Sequence, residues 1–411
     1  MSKTALVVVL GDVSRSPRIC SHAIELSRDG WNTTILGYNA RSASSLPNDI
    51  RRKNIYDFGS IFGVIPIKIL AFIFKFIFMF FSLFLTLLSN KNADLIVAQN
   101  PPSVPLFLVL VILSHMSRAR FLIDWHNYGY TILNNGSQNL SIMARFYKLL
   151  EIRIARHFMS DPKRFMHICV SKSLAADIMQ QMHVNATVYP ELKDEGGSLR
   201  RTAFTEITTS TGMKARWRQD RPFLLMSSCS WTPDDDMSSL LSALLLYDAS
   251  AAEKQLPKLF CMITGKGPCK AEFERKLRET TLSHVHIVLP WLEASDYPKL
   301  LGCSDLGVCL HKSTSNLDLP MKVVDLFGCG VPVLALNYHA LAELVSDKQT
   351  GCLFEGEDAA QQLANHLMRL ASAAGQKELD TYRQNVVKMR NQAFYNWANE
   401  WTEKVAPLLK H

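Results

Sequence analysis

The stretch SNLDLPMKVVDLFGCGVPV, residues 315 to 333, places two aspartates and a lysine at helical spacing. Pro320 suits the first turn of a helix and Gly330 suits its C-terminal end. Asp318 would then lie at or near the N-cap, on the same helix face as Lys322 and Asp325. A lysine beside a helix N-terminus suits a pyrophosphate, and an aspartate one turn later can accept hydrogen bonds from a ribose diol. By itself the stretch favours the simpler alternative, a salt-bridged helix face.

Two loops in the first half of the chain carry further chemical groups. In GDVSRSPR, residues 11 to 18, Ser14 or Ser16 can cap a helix, and Arg15 and Arg18 would then flank an anion site. The alternative is a capped turn with solvated arginines. In DWHNYGY, residues 124 to 130, acid-base and stacking groups crowd together at a strand end. The alternative is a buried His126 satisfied by a backbone carbonyl, with the aromatic residues in the core.

Two loops in the second half are less specific. Three aspartates in SWTPDDDM, residues 230 to 237, invite a divalent-metal site. A helical pattern begins at once, however, so capping of that helix is the better interpretation. The turn ITGKGP, residues 263 to 268, brings backbone N–H groups and Lys266 toward a ligand, but a lone G-x-G is weak evidence.

The elements that must position these loops alternate between apolar strands and helices. The alternation predicts a doubly wound α/β domain before residue 190 and a second one after about residue 221, with a polar linker or surface loop between them. In such sheets ligands collect at the carboxyl ends of the strands, where the loops above lie.

Composition excludes several classes of protein. The net charge of +8 over 411 residues comes without dense Lys/Arg blocks, so we expect no nucleic-acid binding. Nine cysteines without a C-x-x-C spacing exclude a zinc ribbon and a disulfide framework, which favours a reducing compartment. The opening MSKTALVVVLGD predicts a first strand, and we expect no signal peptide.

The apolar segment 61–88 is long enough to cross a bilayer. Lys68 and Lys75 lie on nearly the same helix face, so both a span and a helix lying in the membrane interface remain open. If the predicted strands on either side share one sheet, the segment cannot place its two flanks on opposite sides of a membrane, which favours the in-plane helix. A core helix wholly covered by protein is the remaining alternative.

Seven motifs together resemble one family: VVVLGDVSRSPR, QNPPSVP, IDWHNYGY, SCSWTPDDD, ITGKGP, PWLEASDYPKLLGCSDLGVCLH and LDLPMKVVDLFGCGVPV. They resemble the eukaryotic chitobiosyldiphosphodolichol beta-mannosyltransferases, in order from residue 7 to about residue 354. The resemblance implies a GT-B fold, with two Rossmann-like domains facing across a cleft. The domains would be residues 1–215 for the acceptor and membrane, residues 216–375 for the donor, and helices 376–411 returning to the first.

The resemblance also implies an activity. It implies inverting transfer of mannose from GDP-mannose to O4 of the terminal GlcNAc of GlcNAc2-diphospho-dolichol, on the cytosolic face of the endoplasmic reticulum. No cofactor or metal is expected. Other mannosyltransferases of the pathway are possible partners. We expect no N-terminal anchor of the kind that the family usually carries, and we therefore expect residues 61–88 to attach the chain to the membrane. A retaining GT-B enzyme of a related pathway and a catalytically silent homologue are the alternatives.

The expected site residues follow from the same resemblance. Asp12 or His126 is the catalytic base, and the sequence does not rank the two. The acceptor-binding residues are Arg15, Arg18, Trp125, Asn127 and Tyr128. Asp325 matches the ribose contact of the wider group, whereas Asp318 falls one position from the matching acid. The donor-binding residues are Lys266, Gly267, Leu292, Glu293, His311, Asp318, Leu319, Pro320, Met321, Lys322 and Asp325.

Overall fold

The computed structural model describes residues 3–43, 46–55, 68–134, 140–190, 206–207, 216–217, 221–293, 296–356, 358–391 and 397–410. The contacts within the chain divide it into two compact units. These are Met1–Pro190 together with Trp401–His411, and Glu191–Glu400.

The first unit is built on seven strands: β1 (Thr4–Asp12), β2 (Asn32–Tyr38), β3 (Arg51–Asn54), β4 (Leu95–Asn100), β5 (Arg120–Trp125), β6 (Phe165–Cys169) and β7 (Ala186–Val188). Most apolar side chains of β1, β4, β5 and β6 are buried, whereas β3 at one edge of the sheet is mostly exposed. All pair in parallel, in the order β3-β2-β1-β4-β5-β6-β7. Its helices are α1 (Pro17–Arg28), α2 (Lys68–Leu88), α3 (Leu106–Met116), α4 (Gly129–Leu133), α5 (Ile142–Phe158) and α6 (Lys172–Met182). Helix α3 packs against both α2 and α5.

The second unit repeats the architecture with six parallel strands. They are β10 (Phe223–Ser228), β11 (Leu259–Thr264), β12 (Val285–Val288), β13 (Leu306–Cys309), β14 (Val333–Leu336) and β15 (Gly351–Phe354), in the order β12-β11-β10-β13-β14-β15. The helices are α7 (Met237–Ala251), α8 (Lys270–Arg278), α9 (Tyr297–Cys303), α10 (Met321–Gly328), α11 (Ala359–Ala371), α12 (Gln376–Arg390) and α13 (Trp397–Glu400). The two parallel sheets confirm the predicted pair of Rossmann-like α/β domains.

The stretch between the two sheets contains a short antiparallel pair, β8 (Glu206–Ile207) and β9 (Arg216–Trp217). We predicted a linker or surface loop here, and most of it lies outside the described residues. The contacts within the chain divide it after Pro190, and the domain boundary at residue 215 stays a prediction.

The C-terminal helices divide between the units. Helix α12, which we expected to return to the first domain, packs against the second unit, because Arg383 Nη2 donates to the carbonyls of Ser304 at 3.1 Å and Asp305 at 2.8 Å. The chain joins the first unit only from Trp401, whose indole N–H donates to Asp29 at 2.9 Å.

The apolar segment 61–88 is described from Lys68 onward, as helix α2. Among the helices of the described residues, none is long and apolar enough to cross a membrane.

Candidate active site

Helix α10 begins at Met321 with Pro320 as its N-cap, and no side chain caps it. The expectation that Asp318 lies at or near the N-cap therefore needs correction, because its carboxylate turns away to other partners. The C-terminal end of the helix is as predicted. Gly330 has φ +74°, and the next residue, Val331, donates its N–H to the carbonyl of Leu326 at 2.9 Å. This geometry closes the helix with a left-handed glycine.

Asp318 belongs to a three-residue cluster centred on His311. The imidazole contacts Asp234 through Nδ1 at 3.2 Å and Asp318 through Nε2 at 3.3 Å. Burial lowers the pKa of His311, but the two carboxylates outweigh burial and raise it to about 9. The hydrogen bond from His311 holds the pKa of Asp234 well below its usual range. For Asp318, burial raises the pKa, but the bonds from His311 and Ser313 outweigh it. A cationic imidazole therefore lies between two carboxylates.

Lys322, in the first turn of α10, forms an ion pair with Asp235. The Asp235 side chain is buried, and its second oxygen accepts the N–H of Ser230 at 2.7 Å. A backbone bridge between Asp235 and His311 ties the 230–236 loop to the segment that follows β13. The ammonium group of Lys322 thus lies beside the N-terminus of α10, which is an anion-binding position, with a carboxylate as its present partner.

The aspartates of residues 234 to 236 perform different tasks. Asp236 caps α7 by accepting the N–H of Ser239 at 3.2 Å, as the sequence predicts. Asp234 and Asp235, together with His311, offer ligand atoms that lie within 4.8 Å of one another, so they are the candidate metal ligands of the described chain. In the structure these carboxylates pair with protein cations, because His311 contacts Asp234 and Lys322 contacts Asp235.

Asp325 lies one turn after Lys322 on α10. Its Oδ2 accepts the hydroxyl of Tyr297, at the start of α9, at 3.0 Å, and that hydroxyl also lies 3.1 Å from Ser228 Oγ at the end of β10. Three elements therefore position Asp325, consistent with a carboxylate that binds a ligand in a fixed orientation.

The glycine-rich turn after β11 lies tightly against the loop after β10. A Cβ at Gly265 or Gly267 would lie 1.8 Å from the carbonyl oxygen of Cys229 or 1.9 Å from that of Ser230, so this close approach requires glycine. Lys266 places its Nζ 3.8 Å from the centre of the exposed Trp291 ring, a cation–π contact.

The remaining donor candidates lie on two backbone segments. The carbonyl of Glu293 accepts the N–H groups that open α9, and Leu292 packs against the hydrophobic core. Leu319 packs against the same core, and with Pro320 and Met321 it leads into α10. The structure thus brings the candidates from residues 311 to 325 together around the start of α10. Lys266 contacts the Trp291 ring.

In the first unit, Asp124 at the end of β5 is the centre of the polar cluster. Its oxygens accept two hydrogen bonds from Arg18, at 2.7 and 2.8 Å, and one contact from His22 at 2.8 Å. The Arg18 and Asp124 side chains are 2% and 0% exposed. Burial raises the pKa of Asp124, but Arg18 and the histidines outweigh it and hold the carboxyl well below its usual range. The carboxylate is therefore ionised and fully desolvated.

His126 is the accessible member of this cluster. Its side chain is 22% exposed, and its Nε2 lies 3.4 Å from Asp124 Oδ2. Its backbone N–H donates to the carbonyl of Asn100, at the end of β4, at 2.9 Å. With Nε2 buried beside the carboxylate, Nδ1 is the ring nitrogen left to exchange a proton with a ligand.

Asp12, the other base candidate, is occupied with local structure. Its Oδ1 accepts the N–H and the hydroxyl of Ser14, at 2.9 and 2.6 Å, and its Oδ2 accepts the amide of Asn39 at 3.0 Å. Hydrogen bonds to an ionised carboxylate stabilise that form and weaken it as a base. The side chain of Arg15 lies outside the described part of the structure.

The aromatic acceptor candidates lie inside the unit. Trp125 is fully buried and donates its indole N–H to His167 at 3.1 Å. The Tyr128 hydroxyl donates to Asp177 at 2.5 Å, and Asn127 Oδ1 accepts the N–H of Tyr128 at 2.7 Å. These contacts match the core alternative for the two aromatic rings, and they give Asn127 the role of shaping the turn.

Our sequence reasoning did not single out Glu151, which is fully buried on α5. It accepts the N–H groups of Gly129 and Tyr130, at 3.1 and 3.4 Å, and the hydroxyl of Ser103. Burial raises its pKa to about 7. Its status as the single acid of an otherwise basic helix was the available signal.

Two other members of the site also escaped the sequence analysis. His22 follows Arg18 by four residues, a helical spacing that would have placed both on one face. Tyr297 carried no local signal, because its partner Asp325 lies 28 residues away.

Comparisons with known proteins bear on the family and the fold. Residues 226–373 match the family model described as glycosyl transferases group 1. The human chitobiosyldiphosphodolichol beta-mannosyltransferase is 34% identical over 99% of this chain and 93% of its own length. The UDP-glycosyltransferase TURAN of Arabidopsis thaliana is 32% identical over 98% of this chain and 97% of its own. The crystal structure of HepE from Anabaena, in complex with UDP and glucose, superposes with a TM-score of 0.63 at 16% identity, covering 99% of both chains, and shows the fold. The chain belongs to the chitobiosyldiphosphodolichol beta-mannosyltransferase family, with the GT-B fold.

Proposed function

We propose that this protein transfers mannose from GDP-mannose to O4 of the terminal GlcNAc of GlcNAc2-diphospho-dolichol, with inversion of the anomeric centre. The observation that carries the proposal is the 34% identity with the human chitobiosyldiphosphodolichol beta-mannosyltransferase across 99% of the chain. The built cluster around α10 argues against a catalytically silent homologue, because Lys322 and Asp325 are both present and positioned.

We assign the donor to the start of α10. The diphosphate of GDP-mannose would take Lys322 from Asp235 and would bind the N–H groups of Met321 and Lys322 at the start of the helix. His311, protonated at neutral pH, adds a second positive charge. Asp325 binds the ribose hydroxyls. These cations stabilise the charge that develops on GDP as it departs.

We assign the base to His126, not to Asp12. In a single displacement, O4 of the acceptor attacks C1 of mannose while its proton passes to Nδ1 of His126. The C1–O bond to the diphosphate breaks, and its electron pair leaves with GDP. The imidazolium that forms is stabilised by Asp124, whose carboxylate is ionised and lies 3.4 Å from Nε2.

The structure changes the role that we propose for Arg18. A buried guanidinium with two bonds to Asp124 is suited to holding that carboxylate in place. We therefore propose Arg18 as a positioning residue, and we keep Arg15 as the candidate for the acceptor diphosphate.

We propose that α2 attaches the protein to the cytosolic face of the endoplasmic reticulum membrane. Four exposed apolar side chains follow helical spacing along one face, while Leu83 and Leu87 on the other face are buried. This pattern favours a helix lying in the interface. The four exposed residues are Phe74, Phe78, Phe81 and Leu85.

The activity is tested by incubating the protein with GDP-mannose and GlcNAc2-diphospho-lipid and digesting the product with a β-mannosidase. We expect a product that the β-mannosidase cleaves. An α-linked product would favour a retaining enzyme. UDP-sugars serve as the matched donor control, because one relative is named a UDP-glycosyltransferase.

The base assignment is tested with two variants. His126→Ala should lower turnover by about 100- to 10,000-fold and leave GDP affinity, measured by calorimetry, unchanged. Retained turnover in that variant, together with its loss in Asp12→Asn, would move the role to Asp12.

A further inference from the structure

The outer face of α5, between β5 and β6, is apolar where a surface helix is usually polar. The buried face of this helix carries Ala144, Glu151 and Ala155. On the opposite face, Ile142 is 87% exposed, Phe146 61% and Leu149 46%. Their spacing of four and three residues aligns them along one stripe. Large side chains in such an arrangement mark a binding surface.

The charges of the helix indicate the kind of partner. Helix α5 carries Arg145, Lys148, Arg153 and Arg156, and its single acid, Glu151, is buried. Apolar anchors accompanied by basic residues alone, without exposed acids, match the surface of a bilayer that contains anionic lipids.

The position of α5 connects it to the proposed membrane helix. Helix α3 packs against both α2 and α5, and its own outer side exposes Ile112 and Met116. None of the three helices presents an exposed acidic side chain. The exposed apolar residues of α2, α3 and α5 therefore belong to three neighbouring helices of one unit.

We infer that the outer face of α5 is a second membrane-contacting surface, which inserts Ile142, Phe146 and Leu149 at the lipid interface. The inference rests on the proposed attachment through α2 and deepens it. The inner face of the same helix holds the turn after His126 through the bonds from Gly129 and Tyr130 to Glu151. One helix thus links the lipid surface to the loop that carries the proposed base, a suitable arrangement for an acceptor whose lipid lies in the membrane.

The test uses the full-length protein and flotation with vesicles of phosphatidylcholine, with or without phosphatidylserine. The variant Phe146→Ser/Leu149→Ser should weaken vesicle binding by about 10- to 30-fold, since each side chain is about half exposed and loses part of its transfer energy. Phe78→Ser/Phe81→Ser tests the proposed attachment through α2 in parallel, and the matched control is Leu245→Ser, at an exposed leucine of the second unit. Arg153→Glu should lower binding about tenfold, and only to the anionic vesicles.

Two further measurements separate lipid contact from misfolding. Turnover of a water-soluble, short-chain acceptor should stay at the wild-type level in the α5 variant. In Ile142→Trp the new indole should shift its emission to the blue when vesicles are added.

The outcomes distinguish this inference from the proposed attachment. Wild-type flotation of the α5 variant, combined with lost flotation of the α2 variant, would overturn the inference and keep the attachment through α2. Unchanged flotation of both variants would overturn the inference and the attachment together. A wild-type dimer that the α5 substitutions convert to a monomer, without loss of vesicle binding, would overturn the lipid assignment in favour of a second copy of the chain.

Discussion

Replacing Asp124 with asparagine tests the central feature of the first unit. The carboxylate is fully buried and accepts two hydrogen bonds from Arg18 and one contact from His22. Asparagine keeps one oxygen and places an NH2 group where the second oxygen was. The NH2 group, itself a donor, would face the nitrogen atoms of Arg18 or His22. Because the amide is neutral, Arg18 keeps its charge and loses its counter-ion.

The expected magnitude follows from this burial. Removing one partner of a buried ion pair costs about 3–5 kcal/mol, because the remaining charge stays desolvated. The matched control is Glu279→Gln, which removes a pair with Arg275 of similar length, 2.9 Å, whose side chains are 64% and 56% exposed. The control should change stability by less than about 1 kcal/mol.

The pH dependence supplies a second signature. The pKa of Asp124 is lowered in the folded protein, so its contribution is present above the unfolded pKa of about 3.9 and is lost as pH falls through the folded pKa. The difference between wild type and Asp124→Asn should therefore stay constant from neutral pH to about pH 5 and shrink below about pH 4.

The assay is urea unfolding, monitored by hydrogen exchange of peptides from β5 and β6. Exchange in these peptides reports on the stability of the first unit alone. Asp124→Asn should also lower turnover while GDP affinity stays unchanged, because the proposed donor residues lie in the other unit. A loss of stability below about 1 kcal/mol at pH 7 would refute the assignment of Asp124 as the buried centre of the cluster.

Three further predictions concern single groups. Lys322→Ala should weaken GDP binding, whereas Asp235→Asn should strengthen it several-fold by releasing Lys322; equal affinities by calorimetry would contradict the donor assignment. Wild-type GDP affinity should fall as pH rises through about 9, where His311 loses its proton, and His311→Gln should remove that step. The buried imidazole of His167 accepts from Trp125, and burial lowers its pKa from 6.5 to about 4. The unfolded state therefore gains protons first, and His167 should lower stability by up to about 3 kcal/mol from pH 6.5 to 4, a contribution that His167→Gln should remove from the slope measured by urea unfolding.

The sequence by itself determined the features that depend on neighbouring residues. The alternation of apolar strands and helices predicted two parallel sheets, because the spacing of apolar residues that is typical of a strand or a helix can be recognised within a short stretch of sequence. Gly330 predicted the end of α10, and the run of three aspartates predicted a cap for α7, which Asp236 supplies, because each acts on backbone within a few residues. The motifs identified the family, because their residues and their order along the chain can be compared without knowing any contact.

Tertiary structure alone decided which side chains became partners. The sequence left Arg18 either beside an anion site or as a solvated arginine of a capped turn. Its partner in the structure, Asp124, lies 106 residues away in β5. Asp318 had the spacing of a helix cap, yet His311 takes its carboxylate. A buried charge must find an opposite charge or hydrogen bonds, and packing brings those groups together across the fold. Local spacing therefore pointed to the loops of the candidate site, and the folded arrangement decided the partners of each side chain.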